Sequence, residues 1–338
     1  MQQQTTLDAA SLRTTRSRLA ISAVGTYSPP KRLTNADLAT MVDTTDEWIV
    51  SRTGMRERRV AAADQFTSDM CFEAVRDLER RGGSLDEVDY LIACTVTPDY
   101  QFPSVAARLQ DRLGLERCGA VDLGAACAGF VYGLDLADAL VTTGRARKVL
   151  VVAGETLSKI TDYRDRSTCI LFGDGAGAAI VSQDTGTAGM LLARRVNSDG
   201  ASGRELYATG LRKEIAGTVN PGPYLQQNGR AVYEWALTNV TAGIAALLRS
   251  AELNVDDVDW FVPHSANGRM IESICKRVGI PRERTLTSYE YFGNTSSASI
   301  PLALGPALAD GRVKTGDRVL LYGFGGGLVE AGLLVRWA

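Results

Sequence analysis

The feature that most constrains this chain is an internal repeat. The segment Ser84-Leu85-Asp86-Glu87-Val88-Asp89-Tyr90-Leu91-Ile92 returns 170 residues later as Asn254-Val255-Asp256-Asp257-Val258-Asp259-Trp260-Phe261-Val262, about half the length of the 338-residue chain. Each copy reads as an acidic loop feeding a buried strand. The pattern continues: KVLVVAGE at 148–155 answers RVLLYGFGGG at 318–327, and GAAIVS answers EAGLLV. Glu116-Arg117 precedes Cys127 by ten residues and Glu283-Arg284 precedes Asn294 by ten, which pairs Cys127 with Asn294 across the halves. Two similar units are therefore expected, at 19–190 and 191–338, joined near 185–200, behind a flexible N-terminal arm at 1–18.

Within each half, apolar runs alternate with helical spacing, which predicts an α/β fold with a largely parallel sheet. Ser68–Arg81 places Met70, Cys71, Ala74, Val75 and Leu78 on one stripe before Gly82-Gly83; Val232–Leu248 answers it, and Ser104–Leu115 is a further helix. A strand such as VLVVAG is apolar on both faces. It needs cover on both, and two sheets with a shared helix layer between them supply it most economically.

Composition narrows the function classes. Lys and Arg total 37 against 39 Asp and Glu, a net charge of −2 without a sustained basic run, so no electrostatic footprint for nucleic acid is present. The six cysteines form no Cys-x-x-Cys pair and lie near no histidine at ligand spacing, which predicts reduced thiols and no metal site. No run reaches 18 apolar residues, and the polar opening segment lacks a secretory core. Its Arg13, Arg16 and Arg18 suggest a transit peptide only faintly, with Asp8 against it. A cytoplasmic protein without a membrane partner is expected.

Three segments carry chemistry. AACAGF at 125–130 follows the strand-like Ala120–Leu123 and opens a helix whose stripe is Phe130, Val131, Leu134, Ala137 and Val141, with Gly144 as its stop. Cys127 then sits at a helix N-terminus, where free N–H groups favour the thiolate and lower a pKa that starts at about 8.5; the same residue also reads as a small buried cysteine filling a turn. VPHSAN at 262–267 holds His264, the only histidine in the chain, directly after a buried strand, a place suited to ligand contact and equally to a satisfied core histidine. FGNTSSAS at 292–299 puts Asn294 after Gly293 at a helix start, as an amide donor or as an N-cap. Two glycine runs remain. FGDGAGA at 172–178 fits a relaxed dinucleotide fingerprint but is followed by the strand-like Ala179–Ser182 rather than a helix, so nucleotide binding is not expected there. YGFGGG at 322–327 ends a strand with successive N–H groups, which suits a turn or an anion hole.

Taken together, AACAGF, VPHSAN, FGNTSSAS and FGGG, with DEWIVSRTGMRER at 46–58, resemble the beta-ketoacyl-acyl carrier protein synthase III family of the thiolase superfamily, over Leu19 to Ala338. The resemblance implies a five-layer αβαβα fold of two duplicated halves, a homodimer, and a Cys127, His264, Asn294 triad. It implies a decarboxylative condensation that starts fatty acid synthesis: Cys127 takes the acyl group of an acyl-CoA, the N–H groups of Cys127 and Gly326 hold the oxyanion, and His264 with Asn294 stabilises the enolate formed from malonyl-acyl carrier protein. Trp48 and Arg166 would stack the adenine with Arg52 near the phosphates, Asn267 would line the pantetheine tunnel, Arg269 would meet the carrier protein, and Phe102 and Phe324 would bound the acyl pocket, Phe102 from the other subunit. Coenzyme A enters as part of the substrate, with no separate cofactor. The chain departs from the commoner pattern at Ser265, where glutamine is usual, and in QQNGRAVY at 226–233. These departures bear on the primer and leave room for an enzyme with a specialised starter, aromatic, polyketide or glutaryl. A Cys-His-Asn thioester hydrolase uses the same residue types but gives no reason for the repeat. A catalytically silent partner of this fold would be expected to lack Cys127.

Overall fold

The computed structural model describes residue 17 and residues 19–183, 189–215, 217–219 and 222–338. The arm expected at 1–18 lies outside them except for Ser17, whose hydroxyl donates to Asp138 Oδ1. Part of the expected junction, 184–188, also lies outside.

Two sheets form the frame. The first takes β1 (Leu19–Tyr27), β2 (Tyr90–Cys94), β3 (Gly119–Leu123), β4 (Lys148–Glu155) and β5 (Gly175–Gln183) in the order β1-β5-β4-β2-β3. The second takes β6 (Met190–Ser198), β7 (Trp260–Pro263), β8 (Arg318–Gly325) and β9 (Val329–Arg336) in the order β7-β8-β9-β6. The sheets are mixed, which corrects the expectation of a largely parallel arrangement. Only β2–β3, β2–β4 and β7–β8 run parallel; β1–β5, β4–β5, β8–β9 and β6–β9 are antiparallel. The physical reason is the missing crossover helix: β5 follows β4 through a 19-residue excursion, Thr156 to Asp174, that contains no helix long enough to cross the sheet, and β9 follows β8 by a tight turn at 326–328. Without such a helix the chain returns beside the strand it left and runs antiparallel to it.

Strand alternation divides the core into layers. In β4, Leu150 and Val152 face α1 (Thr67–Arg80) and α2 (Val105–Arg112), packing with Met70, Ala74, Val75 and Leu109. Val149, Val151 and Ala153 face the other way, onto α3 (Gly129–Thr142) and α5 (Ser299–Ala309), where Phe130, Leu134, Ile300 and Leu304 also meet Val319, Leu321 and Leu333 of the second sheet. The outer face of that sheet, Leu320, Tyr322 and Leu334, packs with Val240 and Ile244 of α4 (Gly229–Ser250) and with Ile271 and Ile274. The result is helix, sheet, helix, sheet, helix. Each fully buried aliphatic side chain in these layers contributes roughly 1.5–3 kcal/mol relative to exposure, and α5 carries no charged residue because it lies between the two sheets.

Local signals set the helix limits. Ser104 caps α2 by accepting from Ala107 N–H at 3.1 Å, and Gly144, at φ +71°, stops the chain just after α3, as expected. FGDGAGA runs straight into β5, with a strand rather than a helix after it.

The repeat is built into the fold at an offset of 170 residues. β2 and β7 begin at 90 and 260, β4 and β8 at 148 and 318, and α3 and α5 at 129 and 299. The one-turn 3₁₀ segments Ala126–Ala128 and Ser296–Ala298 obey the same offset, and Ala126 and Ser296 both have left-handed φ values, +44° and +49°. This register pairs Cys127 with Ser297. The pairing of Cys127 with Asn294 is therefore corrected: counting from the Glu-Arg dipeptides crosses loops of unequal length, whereas element starts are fixed by packing.

Candidate active site

The three motif segments converge on one cavity of about 520 Å³ that opens where the two halves meet. Cys127, His264 and Asn294 all line it, with Phe324, Gly326 and Asn267. Cys127 lies in the 3₁₀ turn ahead of α3, His264 at the end of β7, and Asn294 two residues before Ser296.

Cys127 is buried, with the β8 loop pressed against it. A side chain at Gly325 would place its Cβ 2.8 Å from Cys127 Cβ and 2.9 Å from the sulfur, so only glycine fits. Gly325→Ala is expected to lower acylation of Cys127 by roughly 10- to 100-fold, the equivalent of about 1–3 kcal/mol of overpacking at the reacting atom. Stopped-flow release of the coenzyme thiol, with a melting curve to show that the variant folds, checks this. The backbone N–H groups of Cys127 and Gly326 and the hydroxyl of Ser296 all approach the sulfur, and each favours the thiolate. Burial outweighs them: it pushes the thiol up to about 12, assisted by the charge of Glu155. The expectation of a depressed thiol pKa at a helix start is thus corrected, since the N–H groups are present but the sulfur has lost the water that would solvate its charge.

His264 is buried and held neutral. Desolvation takes its pKa down to about 3, partly offset by a hydrogen bond with the Ser296 backbone. Its Nδ1 lies 2.8 Å from Ser299 Oγ, and its ring meets Phe324 edge-to-face at 5.3 Å and 76°. A neutral imidazole carries one N–H donor and one acceptor nitrogen, and His264 lines the cavity with that ring. Asn294 Oδ1 accepts from Ser296 N–H at 2.9 Å; with that oxygen engaged, Nδ2 is the donor the side chain can present. Ser265 is fully buried: its N–H donates to the same Ser299 Oγ at 3.2 Å, and its own oxygen accepts from Ser288 N–H at 3.0 Å. This residue thus braces the histidine loop.

The remaining expected residues divide into two groups. Asn267 and Phe324 line the cavity, and Asn267 also caps the helix Gly268–Val278 by accepting from Met270 N–H at 2.9 Å. Trp48, Arg52, Arg166, Arg269 and Phe102 do not line it. Trp48 carries Arg166 4.8 Å and Arg52 5.8 Å from its ring centroid, a cationic aromatic cluster beyond the cavity, and a base stacked between Trp48 and Arg166 requires the two to part. Arg269 is exposed. Phe102 is 84% exposed, beside the exposed Tyr100 and Val96, so it does not bound the pocket of its own chain.

Sequence reasoning missed Glu155, Ser296 and Ser299. Glu155 carried a signal, as the single carboxylate closing the apolar run of β4; the serines carried none beyond their place in FGNTSSAS.

Known proteins share the sequence and the fold of this chain. Residues 248–337 match the family described as 3-oxoacyl-[acyl-carrier-protein (ACP)] synthase III C terminal, and residues 121–200 match 3-oxoacyl-[acyl-carrier-protein (ACP)] synthase III. A curated relative, beta-ketoacyl-[acyl-carrier-protein] synthase III 2 of Bacillus subtilis, is 55% identical over 323 residues, covering 95% of this chain and 99% of the relative. The crystal structure of beta-ketoacyl-[acyl carrier protein] synthase III from Thermus thermophilus superposes with a TM-score of 0.91 at 44% identity, covering 94% and 99% of the two chains. The priming beta-ketosynthase of the R1128 polyketide biosynthetic pathway superposes with a TM-score of 0.87 at 35% identity, covering 95% and 97%.

Proposed function

This chain belongs to the beta-ketoacyl-[acyl-carrier-protein] synthase III family of condensing acyltransferases, and from that premise we propose that it joins an apolar acyl-CoA primer to malonyl-acyl carrier protein through an acyl-Cys127 intermediate. The condensation itself, of the kind that primes fatty-acid-type or polyketide chains, is the family's reaction. The observation that carries the finer reading is the shared cavity: a buried nucleophile with two N–H donors at its sulfur faces a neutral imidazole and a side-chain amide. The thiolate attacks the thioester carbonyl, and the N–H groups of Cys127 and Gly326 hold the oxyanion. After the coenzyme leaves, His264 and Asn294 donate to the malonyl thioester oxygen, so the electron pair left by decarboxylation is held as an enolate until it attacks the acyl-Cys carbonyl carbon. Carbon dioxide leaves, and the 3-ketoacyl product stays on the carrier protein.

The lining favours a specialised primer. Leu157, Leu171, Phe172, Leu206, Val232 and Phe324 wall the cavity, and none of its described lining residues is charged. A carboxyacyl starter such as glutaryl would bury its carboxylate without a partner, which costs several kcal/mol; an apolar straight, branched or aromatic chain would gain about 0.8 kcal/mol per buried methylene. An apolar lining also works against a hydrolase, which must admit water to its acyl-enzyme. Two neighbours support such a role: one is named as a second synthase III of its organism and the other as a polyketide priming enzyme. In this reading Trp48, Arg52 and Arg166 meet the coenzyme, Arg269 meets the carrier protein, and Phe102 reaches the pocket of a second copy in a homodimer. Initial rates of 3-ketoacyl-acyl carrier protein formation with acetyl-, butyryl-, isobutyryl-, benzoyl- and glutaryl-CoA test the primer. The apolar chains of four or more carbons are expected to exceed glutaryl by at least tenfold; a preference for glutaryl would overturn the reading.

A further inference from the structure

Acylation requires Cys127 to give up its proton, and His264 is not placed to take it: its Nδ1 is engaged by Ser299, and among the described residues no hydrogen bond joins the ring to Cys127. Ser296 lines the same cavity wall as Cys127, and its hydroxyl favours the thiolate. The same hydroxyl donates to Glu155 Oε1 at 3.1 Å, while Ser296 N–H holds Asn294 Oδ1 and the Ser296 backbone meets the His264 ring. Ser296 is therefore hydrogen-bonded to Asn294 and Glu155 on the cavity wall that also carries Cys127 and His264. Its φ of +49° is a left-handed conformation that a non-glycine residue adopts at a cost of about 1–3 kcal/mol, so surrounding contacts must enforce it.

Behind Ser296 stands Glu155, fully buried at the end of β4. Its Oε2 accepts from Val96 N–H at 3.1 Å, Thr97 Oγ1 at 2.8 Å and Thr95 Oγ1 at 3.2 Å, and its Oε1 also accepts from Ser297 Oγ at 3.0 Å. Among the described residues no Lys or Arg pairs with it. A carboxylate kept in the core on hydroxyl and amide donors alone is costly unless it has a use.

We propose that Ser296 and Glu155 form the proton path of Cys127. The proposal rests on Cys127 being the nucleophile, as argued above. As the S–H bond breaks, its proton passes to Ser296 Oγ, while the Ser296 hydroxyl proton passes to Glu155 Oε1. The sulfur forms its bond to the acyl carbon, and the bond from that carbon to the coenzyme sulfur breaks. The proton on Glu155 then returns through Ser296 to the departing thiolate, so the products are acyl-Cys127 and the free coenzyme thiol with no net gain or loss. Burial raises the proton affinity of Glu155 as well as that of Cys127, which narrows the gap between donor and acceptor. The titratable groups packed around this carboxylate are Cys71 of α1, Cys94 of β2 and Cys127 itself; Asp99 and Asp122 act on Cys71 and Cys94 from further out.

The test is the pH profile of Cys127 alkylation by iodoacetamide, in the wild type, Glu155→Gln and Ser296→Gly, beside acylation from butyryl-CoA in the same proteins. Glu155→Gln keeps the size and an acceptor oxygen but cannot take a proton. Ser296→Gly removes the hydroxyl while easing the left-handed backbone, and it leaves the other four donors to Glu155 in place. Both variants are expected to react roughly 100-fold more slowly than wild type near neutral pH, with the deficit closing as hydroxide takes over toward about pH 10. Wild-type rates in both variants, or a deficit equal at every pH, would overturn the proton path. Wild-type protein that alkylates at Cys127 but takes no acyl group from any thioester would instead overturn the proposed function, and the alkylation profiles would still decide the path.

Discussion

Cys127→Ser is expected to take up no acyl group from any acyl-CoA and to lose condensation by a factor on the order of 10⁴ or more. The two side chains differ by one atom, so the cavity and the N–H groups of Cys127 and Gly326 stay in place. What changes is the nucleophile: a hydroxyl buried among the same groups stays protonated where a thiol can ionise. Intact-mass spectra after incubation with excess acyl-CoA check this. An acylated mass in the variant equal to that of the wild type would place the intermediate on another residue.

The second large effect separates the half-reactions. His264→Ala and Asn294→Ala are each expected to accept an acyl group on Cys127 within a few-fold of the wild-type rate, while condensation falls by about 10²–10³, the usual loss for one oxyanion donor. The division follows from geometry, since both side chains face the cavity but the proton of Cys127 is served by Ser296. Because burial holds His264 neutral down to about pH 3, the wild-type decarboxylation rate should show no histidine titration across the neutral range. The sign follows from the depressed pKa: the neutral imidazole is favoured in the folded protein, and stability is lost only as pH falls below the ordinary histidine value toward 3. Loss of acylation in folded His264→Ala would make the imidazole the base for Cys127.

The duplicated halves were legible because the repeat is carried by buried strands, whose apolar composition is set by cover on both faces. Cys127 and His264 could be placed for the same reason: one follows a strand and opens a helix, the other ends a strand. Strand direction could not be read, since whether β5 returns antiparallel beside β4 depends on how the chain crosses the sheet, which no local pattern records. The internal pairing went astray at Asn294 because loop lengths differ between the halves, and only the matching left-handed turns at Ala126 and Ser296 show that Cys127 answers Ser297. The raised thiol pKa is not legible in sequence, because dipole and N–H groups are local and readable, whereas desolvation is imposed by the packing of Gly325 and the β8 loop against the sulfur. Glu155 meets Ser296 across 141 positions of sequence, a contact only the folded chain creates.

The central claim is that one sulfur carries the primer between two partners. Its most direct measurement is a two-step intact-mass experiment on the wild-type protein: butyryl-CoA is added and then removed, the modified peptide is mapped, and malonyl-acyl carrier protein is added. A single butyryl group on Cys127 that disappears as 3-ketohexanoyl-acyl carrier protein forms is the predicted result. Product formation with Cys127 unmodified throughout, or an acyl group on Cys127 that malonyl-acyl carrier protein leaves in place, would contradict it.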